Sequence, residues 1–308
     1  MPEPTEKFRF LFSVIVPTHN RPERLGECLE SITRLEGDRD QVQVVVVNDG
    51  SSAQYGSIIA RFERRLNLKY ERQENRGPAT ARNRGAALAD GRFLVFLDDD
   101  CTLPRNWLRT ANVHAAPGRV TGGRTLNGLR TNMFSEASQV LVDYLYSYYN
   151  ADPQKANFLT TNNFIIPRNV FFQVKGFDTD FTEAAAEDRD LCDRLLRTDY
   201  EMVYTPEVTI YHWHAMTLKQ YLRQHFTYGY RARLYHEKRA ERSDEKLQVE
   251  PISFYVDLLL FPFHERSFLR GLVMGLLLIA SQAANGVGFS AAICKSREKS
   301  PEPVEEAG

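Results

Sequence analysis

The chain of 308 residues is long enough for one large core with an appendage, and its formal charge of -1 gives no electrostatic reason to expect nucleic acid as a partner. Four widely spaced cysteines, Cys28, Cys101, Cys192 and Cys294, form no CxxC pair; they suit a reducing cytosol and exclude a disulfide framework or a zinc knuckle. The start carries Glu3, Glu6 and Lys7 before a short apolar stretch, so no signal peptide is expected.

In chain order, the apolar run 10–16 closed by Pro17 predicts a buried strand. Asn20 is expected to cap a helix with Pro22 in its first turn and Leu25, Cys28, Leu29, Ile32 and Leu35 at helical spacing. Residues 42–47 form a second buried strand ending in Asn48-Asp49-Gly50-Ser51-Ser52. A helix near 58–66 and a short strand near 68–70 follow; Arg76-Gly77-Pro78 then opens a helix through Leu88. The run 93–97 has the length and bulk of a buried parallel strand and delivers Asp98-Asp99-Asp100 at its end. Alternating strand and helix predicts an α/β fold, a parallel sheet covered on both faces. The chain has no GxGxxG after the first strand and no GxxxxGK[ST], so the common dinucleotide and P-loop readings lack their glycines.

Carboxyl ends of strands in an open α/β sheet line the ligand crevice. Three clustered carboxylates there suit Mg²⁺ or Mn²⁺ holding substrate phosphates, although an Asp run also serves turns and caps. Asp49 leaves a separate strand on the same rim, where Asp-Gly-Ser turn chemistry alone can also explain it. The helix opening at Arg76 and Gly77 brings Arg82 and Arg84, and helix N-termini and Arg forks both favour anions. A solvated helix face accounts for Arg84 equally well.

These blocks together, Val14-Ile15-Val16-Pro17-Thr18-His19-Asn20-Arg21, Val47-Asn48-Asp49-Gly50-Ser51-Ser52, Asn75-Arg76-Gly77 with Ala81-Arg82-Asn83, and Asp98-Asp99-Asp100, resemble a family 2 glycosyltransferase over roughly residues 10–240. The resemblance implies a GT-A fold, a nucleotide-diphosphate sugar donor (UDP-linked), a divalent cation (Mn²⁺ or Mg²⁺) and inversion at the anomeric carbon. It implies that Pro17, Thr18, Asn20 and Asp49 surround the base and ribose, that Asp98 faces the ribose, and that Asp100 coordinates the metal. Arg76, Gly77, Arg82 and Asp99 complete the expected donor set.

The second half must supply the acceptor side. Thr160-Thr161-Asn162-Asn163 precedes Gly176-Phe177-Asp178, and Glu187-Asp188 follows, which resembles the family's acidic pair opening a helix; Lys175 stands where a second glycine is common. Asn162, Asn163 and Glu187 are the expected acceptor contacts. At about 100° per residue Leu191, Cys192, Leu195 and Leu196 form an apolar arc with Asp188 near its middle and Glu187 at its edge. Arg189, Asp190, Asp193, Arg194 and Arg197 lie opposite. An inward carboxylate at a helix start is a cap or a functional group; Asp188 is taken as the general base, with Glu187 second. His212 and His214 project alike from a strand. The resemblance favours His212 as the metal's second ligand, with His214 a further candidate for the metal, the acceptor or the diphosphate. Trp213 between them is read as core. Residues 217–236 are expected to form a helix beside the acceptor groove, with Arg231 and Arg233 reaching the diphosphate.

The domains expected are a catalytic 1–240, with a donor half over 10–115 and an acceptor half over 116–240, a charged linker 241–251, a hydrophobic helical segment 252–294 and a disordered tail 295–308. Residues 271–294 carry no charge and as one helix would extend about 36 Å, enough to cross a bilayer. Spanning, lying in the interface and packing in a protein interface all stay open. Arg266, Arg270, Lys295 and Arg297 flank the run and favour an anionic inner leaflet. The expected function is sugar transfer to a hydroxyl of a glycan or lipid-linked acceptor, in the cytosol at the inner face of the cell membrane. A sugar-phosphate nucleotidyltransferase would carry a glycine-rich loop where Val16-Pro17-Thr18-His19-Asn20 stands. A non-catalytic sugar-nucleotide or scaffold protein would not need both Asp100 and Asp188.

Overall fold

The computed structural model describes residues 8–243, 250–264 and 266–297, with the side chains of residues 296 and 297 excepted. In chain order the strands are β1 (Phe10–Thr18), β2 (Val42–Asp49), β3 (Asn67–Gln73), β4 (Gly91–Phe96), β5 (Cys101–Thr102), β6 (Arg119–Asn127), β7 (Phe164–Pro167) and β8 (Glu201–His212). The helices are α1 (Pro22–Thr33), α2 (Gly56–Glu63), α3 (Pro78–Leu88), α4 (Trp107–His114), α5 (Met133–Tyr149), α6 (Arg168–Gln173), α7 (Glu187–Leu195), α8 (Leu218–Arg242), α9 (Ile252–Leu260) and α10 (Phe268–Arg297).

Of the described residues, those in 8–131 and 142–215 form one compact unit and those in 132–141 and 216–297 a second. The first holds a single mixed sheet of order β3-β2-β1-β4-β7-β6-β8-β5. β3, β2, β1 and β4 run parallel, so Asp49 and the segment after Phe96 emerge on one edge. β7 pairs antiparallel with β4 and β6, and β6 pairs parallel with β8 through a register shift at Gly123/Arg124. The strand alternation sorts two cores. Phe12, Val14, Val16, Val44, Val46, Phe93 and Val95 meet Leu25 and Leu29 of α1 on one face. Ile15, Val45, Val47, Leu94 and Phe96 meet α3 and α7 on the other. Helix α3 is built of Ala and Gly and lies close on the sheet; a Cβ at Gly85 would come within 2.4 Å of Ile15. That closeness buries Arg82 on its inward side.

Three expectations change. Strand β3 is longer than the run 68–70, because its alternating exposure is that of an edge strand. Asn20 does not cap α1; it sits at φ 55 and its side-chain oxygen accepts from the N–H groups of Ser52 and Ala53. The first compact unit runs to 215, where 240 was expected, and α8 packs with α10 in the second. Of the expected linker, 244–249 lie outside the described residues, and α8 carries the helix to Arg242; α10 runs to Arg297, and the remainder of the expected tail lies outside.

Helix α6 ends in two consecutive left-handed residues, Lys175 at φ 65 and Gly176 at φ 64, whose N–H groups donate to Phe172 and Phe171. The missing second glycine therefore puts a side chain in a backbone region costing roughly 1–2 kcal/mol. Lys175→Gly should raise the unfolding free energy by about 0.5–1 kcal/mol, part of the relief being offset by glycine's greater unfolded freedom. A urea midpoint that falls instead would show that the lysine side chain holds the turn.

Candidate active site

The site is assembled from the carboxyl ends of β1, β2 and β4, the starts of α3 and α7, and the segment after β8. Asp49, buried at the end of β2, accepts from the backbone N–H groups of Arg76 and Gly77 at 2.9 Å each and from Gln73 at 2.8 Å. It thus fixes the loop entering α3. Gly77 is required there: it has φ 88, and a Cβ would lie 2.2 Å from the Thr182 carbonyl oxygen. Arg76 itself is exposed and pairs with Glu74 at 3.3 Å. Two clefts open beside this rim, one of about 210 Å³ bordered by Asn48, Ser51, Tyr55 and Arg72, the other of about 460 Å³ bordered by Gly50, Arg72, Gln73 and Asn75.

Arg82 is buried and forks between Asp98, 2.8 Å away, and Glu187, 2.9 Å away, with the Phe177 ring at 5.7 Å. Burial works against its charge, but the two carboxylates more than offset that and hold the guanidinium protonated. With only 4% of its side chain exposed, Arg82 acts as a strut that joins Asp98 after β4 to the acidic pair opening α7. Glu187 is buried, and burial pushes it up to about 7, against the pull of Arg82. Asp188 is partly exposed, accepts from the Arg189 N–H at 2.8 Å, and is also raised by burial. The cap position before them is Ala186, left-handed at φ 70 with no side-chain cap, so neither carboxylate is the helix cap. Asp190 and Asp193, expected on the solvated side, are buried against Arg194 and Arg197.

Asp99 has no exposed surface, accepts from the Thr18 hydroxyl at 2.7 Å and pairs with Arg21 at 3.0 Å, which ties it to the β1 loop. Burial pushes it up to about 7. Pro17 and Thr18 close β1 beside it, and Thr18 also meets the Tyr55 hydroxyl at 3.1 Å. Asn163 is buried, and its amide donates to the carbonyls of Arg124 and Val208 across the β6/β8 register shift. It ties β6 to β8; the partly exposed Asn162 accepts from Thr125 and Thr160. Trp213 is half-buried rather than core; its ring N–H donates to Thr102 and its ring covers Gly128. In the second unit Arg233 bonds Ala292 of α10 and Glu237 of its own helix. Arg231 lies against Tyr230.

Asp100 collects the remaining groups: His212 at 3.2 Å, His214 at 3.3 Å and Arg21 at 2.8 Å. Burial disfavours its charge, but hydrogen bonds to the two histidines hold it well below the usual carboxylate range, and Asp100 raises His212 in turn. Asp100, Cys101 and His212 are the group of ligand atoms close enough to share an ion among the described residues. Burial pushes the Cys101 thiol up, and a soft sulfur suits Mn²⁺ or Mg²⁺ less well than a carboxylate oxygen. One carboxylate oxygen with imidazole nitrogen fits Mn²⁺, and fits Mg²⁺ less well because Mg²⁺ prefers oxygen alone. Arg21 and Tyr55 are the site residues that sequence reasoning left without a role; Arg21 stood in the first motif block.

The family model for glycosyl transferase family 2 matches residues 13–174. The chain belongs to this family. That sets aside the nucleotidyltransferase reading. The family member is 28% identical over 215 residues to validoxylamine A glucosyltransferase of Streptomyces hygroscopicus subsp. jinggangensis, covering 60% of this chain and 51% of that one. It therefore spans about half the length of that relative. Among solved structures it resembles the mannosyltransferase PcManGT of Pyrobaculum calidifontis in complex with GDP-Man and Mn²⁺, with TM-score 0.60, 21% identity and coverage of 97% and 82%. It also resembles Staphylococcus aureus TarS 1–349 in complex with UDP-GlcNAc, with TM-score 0.54, 16% identity and coverage of 94% and 92%. These likenesses establish the GT-A fold of the glycosyltransferase.

The raised Glu187 has a definite sign in stability. Its folded form holds a proton more tightly than the ordinary 4.5 of the unfolded chain, so its contribution is full below 4.5 and is lost as pH rises through about 7. Glu187→Gln should flatten the fall in unfolding free energy across that window in urea titrations. Parallel slopes for parent and variant would mean that the carboxylate is already ionised throughout.

Proposed function

We propose that this glycosyltransferase moves a sugar from a UDP-linked donor to a hydroxyl of a glycan or lipid-linked acceptor, inverting the anomeric carbon. The observation that carries the reading is the Arg82 fork, which ties the donor-side Asp98 to the acidic pair holding Asp188. Asp188 takes the acceptor proton while the acceptor oxygen attacks the anomeric carbon; the bond to the diphosphate breaks on the opposite side, and the nucleoside diphosphate leaves with the electron pair. A base raised by burial is better matched to neutral pH than an ordinary aspartate. Glu187, locked on Arg82, orients the start of α7. Asp49 and the loop it fixes frame the base and ribose, with the Gly50–Asn75 cleft beside them. Asp100 and His212, with His214 adjacent, would hold Mn²⁺, which supplies charge neutralisation for the departing diphosphate. The PcManGT complex with Mn²⁺ and the TarS complex with UDP-GlcNAc support the choice of ion and donor class.

Asp188→Asn keeps the shape but cannot take a proton. Nucleotide release from a panel of UDP- and GDP-sugars with Mn²⁺ should fall by about 10²–10⁴-fold while UDP affinity stays parental. Parental turnover in the variant would pass the base role to Glu187.

Location follows from the second unit. Helices α8 and α10 run parallel: Tyr221 bonds Leu277, a Cβ at Gly229 would collide with Asn285, and Arg233 bonds Ala292. An α10 crossing a bilayer would draw in Arg223, Arg231 and Arg233 of α8, at roughly 2.5–3.5 kcal/mol for each central charge. The opposite stripe of α10, Phe268, Leu269, Leu272, Leu276 and Ile279, is exposed, as are Ile252 and Leu260 of α9. Of the three arrangements the sequence leaves open, these features favour α10 lying in the plane of the inner leaflet, with Arg266 and Arg270 at its start. The protein should float with anionic vesicles and be released by alkaline carbonate. Retention through carbonate would indicate a span, and failure to float would leave the stripe to a protein partner.

A further inference from the structure

Arg21 spans two neighbouring carboxylates, 3.0 Å from Asp99 and 2.8 Å from Asp100. Its backbone end is fixed, since its N–H donates to the Tyr55 hydroxyl at 3.0 Å, and Asp99 is held by Thr18. Its head is not packed away: 46% of the side chain is exposed, whereas Asp99 is wholly buried and Asp100 nearly so. Asp100 Oδ2, which Arg21 holds, is also the oxygen facing His214, while Oδ1 faces His212. A resident cation thus occupies the carboxylate that a divalent ion needs.

An incoming ion and a guanidinium on one carboxylate repel, and more strongly in this partly desolvated setting than in water. To seat the ion, Arg21 must leave Asp100. The fixed backbone and the bond to Asp99 keep the head nearby, and a planar fork matches phosphate oxygens. A nucleoside diphosphate brings the negative charge that lets both cations stay.

We propose that Arg21 is a positioning residue that bars free divalent ions from Asp100 and transfers to the donor diphosphate when ion and nucleotide bind together. This rests on the reading of Asp100 and His212 as the metal seat. Its consequence is reciprocal coupling: ion and nucleotide each tighten the other by the same factor, typically about 5–150-fold for coupled sites.

Calorimetry on the full chain tests this with MnCl₂ alone, UDP alone and the two together, corrected for the ion–nucleotide complex in solution. The parent should bind Mn²⁺ weakly alone and at least about tenfold more tightly with UDP. Arg21→Gln should bind Mn²⁺ alone about tenfold more tightly than the parent and lose most of the coupling. Arg21→Lys keeps the charge and should keep the weak free-ion affinity, which separates lost charge from a disturbed loop. A parent that binds Mn²⁺ equally well with and without UDP overturns the proposal with no variant needed, as does an Arg21→Gln whose free-ion affinity is unchanged or weaker. A parent that binds neither Mn²⁺ nor UDP overturns the proposed function as well.

Discussion

The Arg82 fork is the constraint on which the site depends. A guanidinium taken out of water costs several kcal/mol unless its partners are close and well aimed, and here the two partners come from different parts of the chain, Asp98 after β4 and Glu187 at the start of α7. Burying Arg82 required a helix thin enough to approach the sheet, which explains the Ala- and Gly-rich α3 and its weak apolar stripe. It required Asp49 to hold the α3 entry and Gly77 to pass under Thr182. Donor rim and acidic pair cannot drift apart without leaving a buried charge unpaired.

Around that strut the site arranges charge in layers. Asp99 and Glu187 lie inside, raised by burial and answered by Arg21 and Arg82. Asp98 and Asp188 are partly exposed and lie nearer the opening. The inner pairs cost desolvation energy and offer little to a ligand; their effect is to hold two flexible arginines at fixed points. Asp100 differs because three donors compete for it, two of them imidazoles, which can exchange a hydrogen bond for a metal bond without moving far.

The sheet and the rim were legible in the sequence because uninterrupted Val, Ile, Leu and Phe runs define buried parallel strands, and a carboxylate directly after such a run has one place to go. Periodicity placed Asp188 near the middle of the apolar arc and Glu187 at its edge, whereas Glu187 is the buried one and Asp188 is partly exposed, and it missed that Asp190 and Asp193 are buried against their own i+4 arginines. The contacts that were not legible share a cause. Asn20 finds Ser52, Asp99 finds Thr18 and Arg21, and Asn163 finds Val208, all partners about 30 to 80 residues away along the chain. Local pattern gives a residue's direction, but not which distant group will satisfy it. Arg82 shows this most clearly, since a motif that marks it as important says nothing of whether it touches the ligand or braces the residues that do.

The C-terminal run makes the same point at larger scale. Length, lack of charge and flanking arginines describe a spanning helix and an interfacial one equally well. What separates them is the neighbour. Gly229 and Gly288 bring the backbones of α8 and α10 together, with a Cβ at either position forbidden by the other helix. A helix joined that closely along its length takes on the polarity of its partner on one side and keeps its own on the other. The pair is then amphipathic as a unit, although neither helix has a strong stripe alone. An uncharged run that is tied side by side to a charged helix thus presents one polar and one apolar side, a property of the pair that the sequence of α10 alone does not carry.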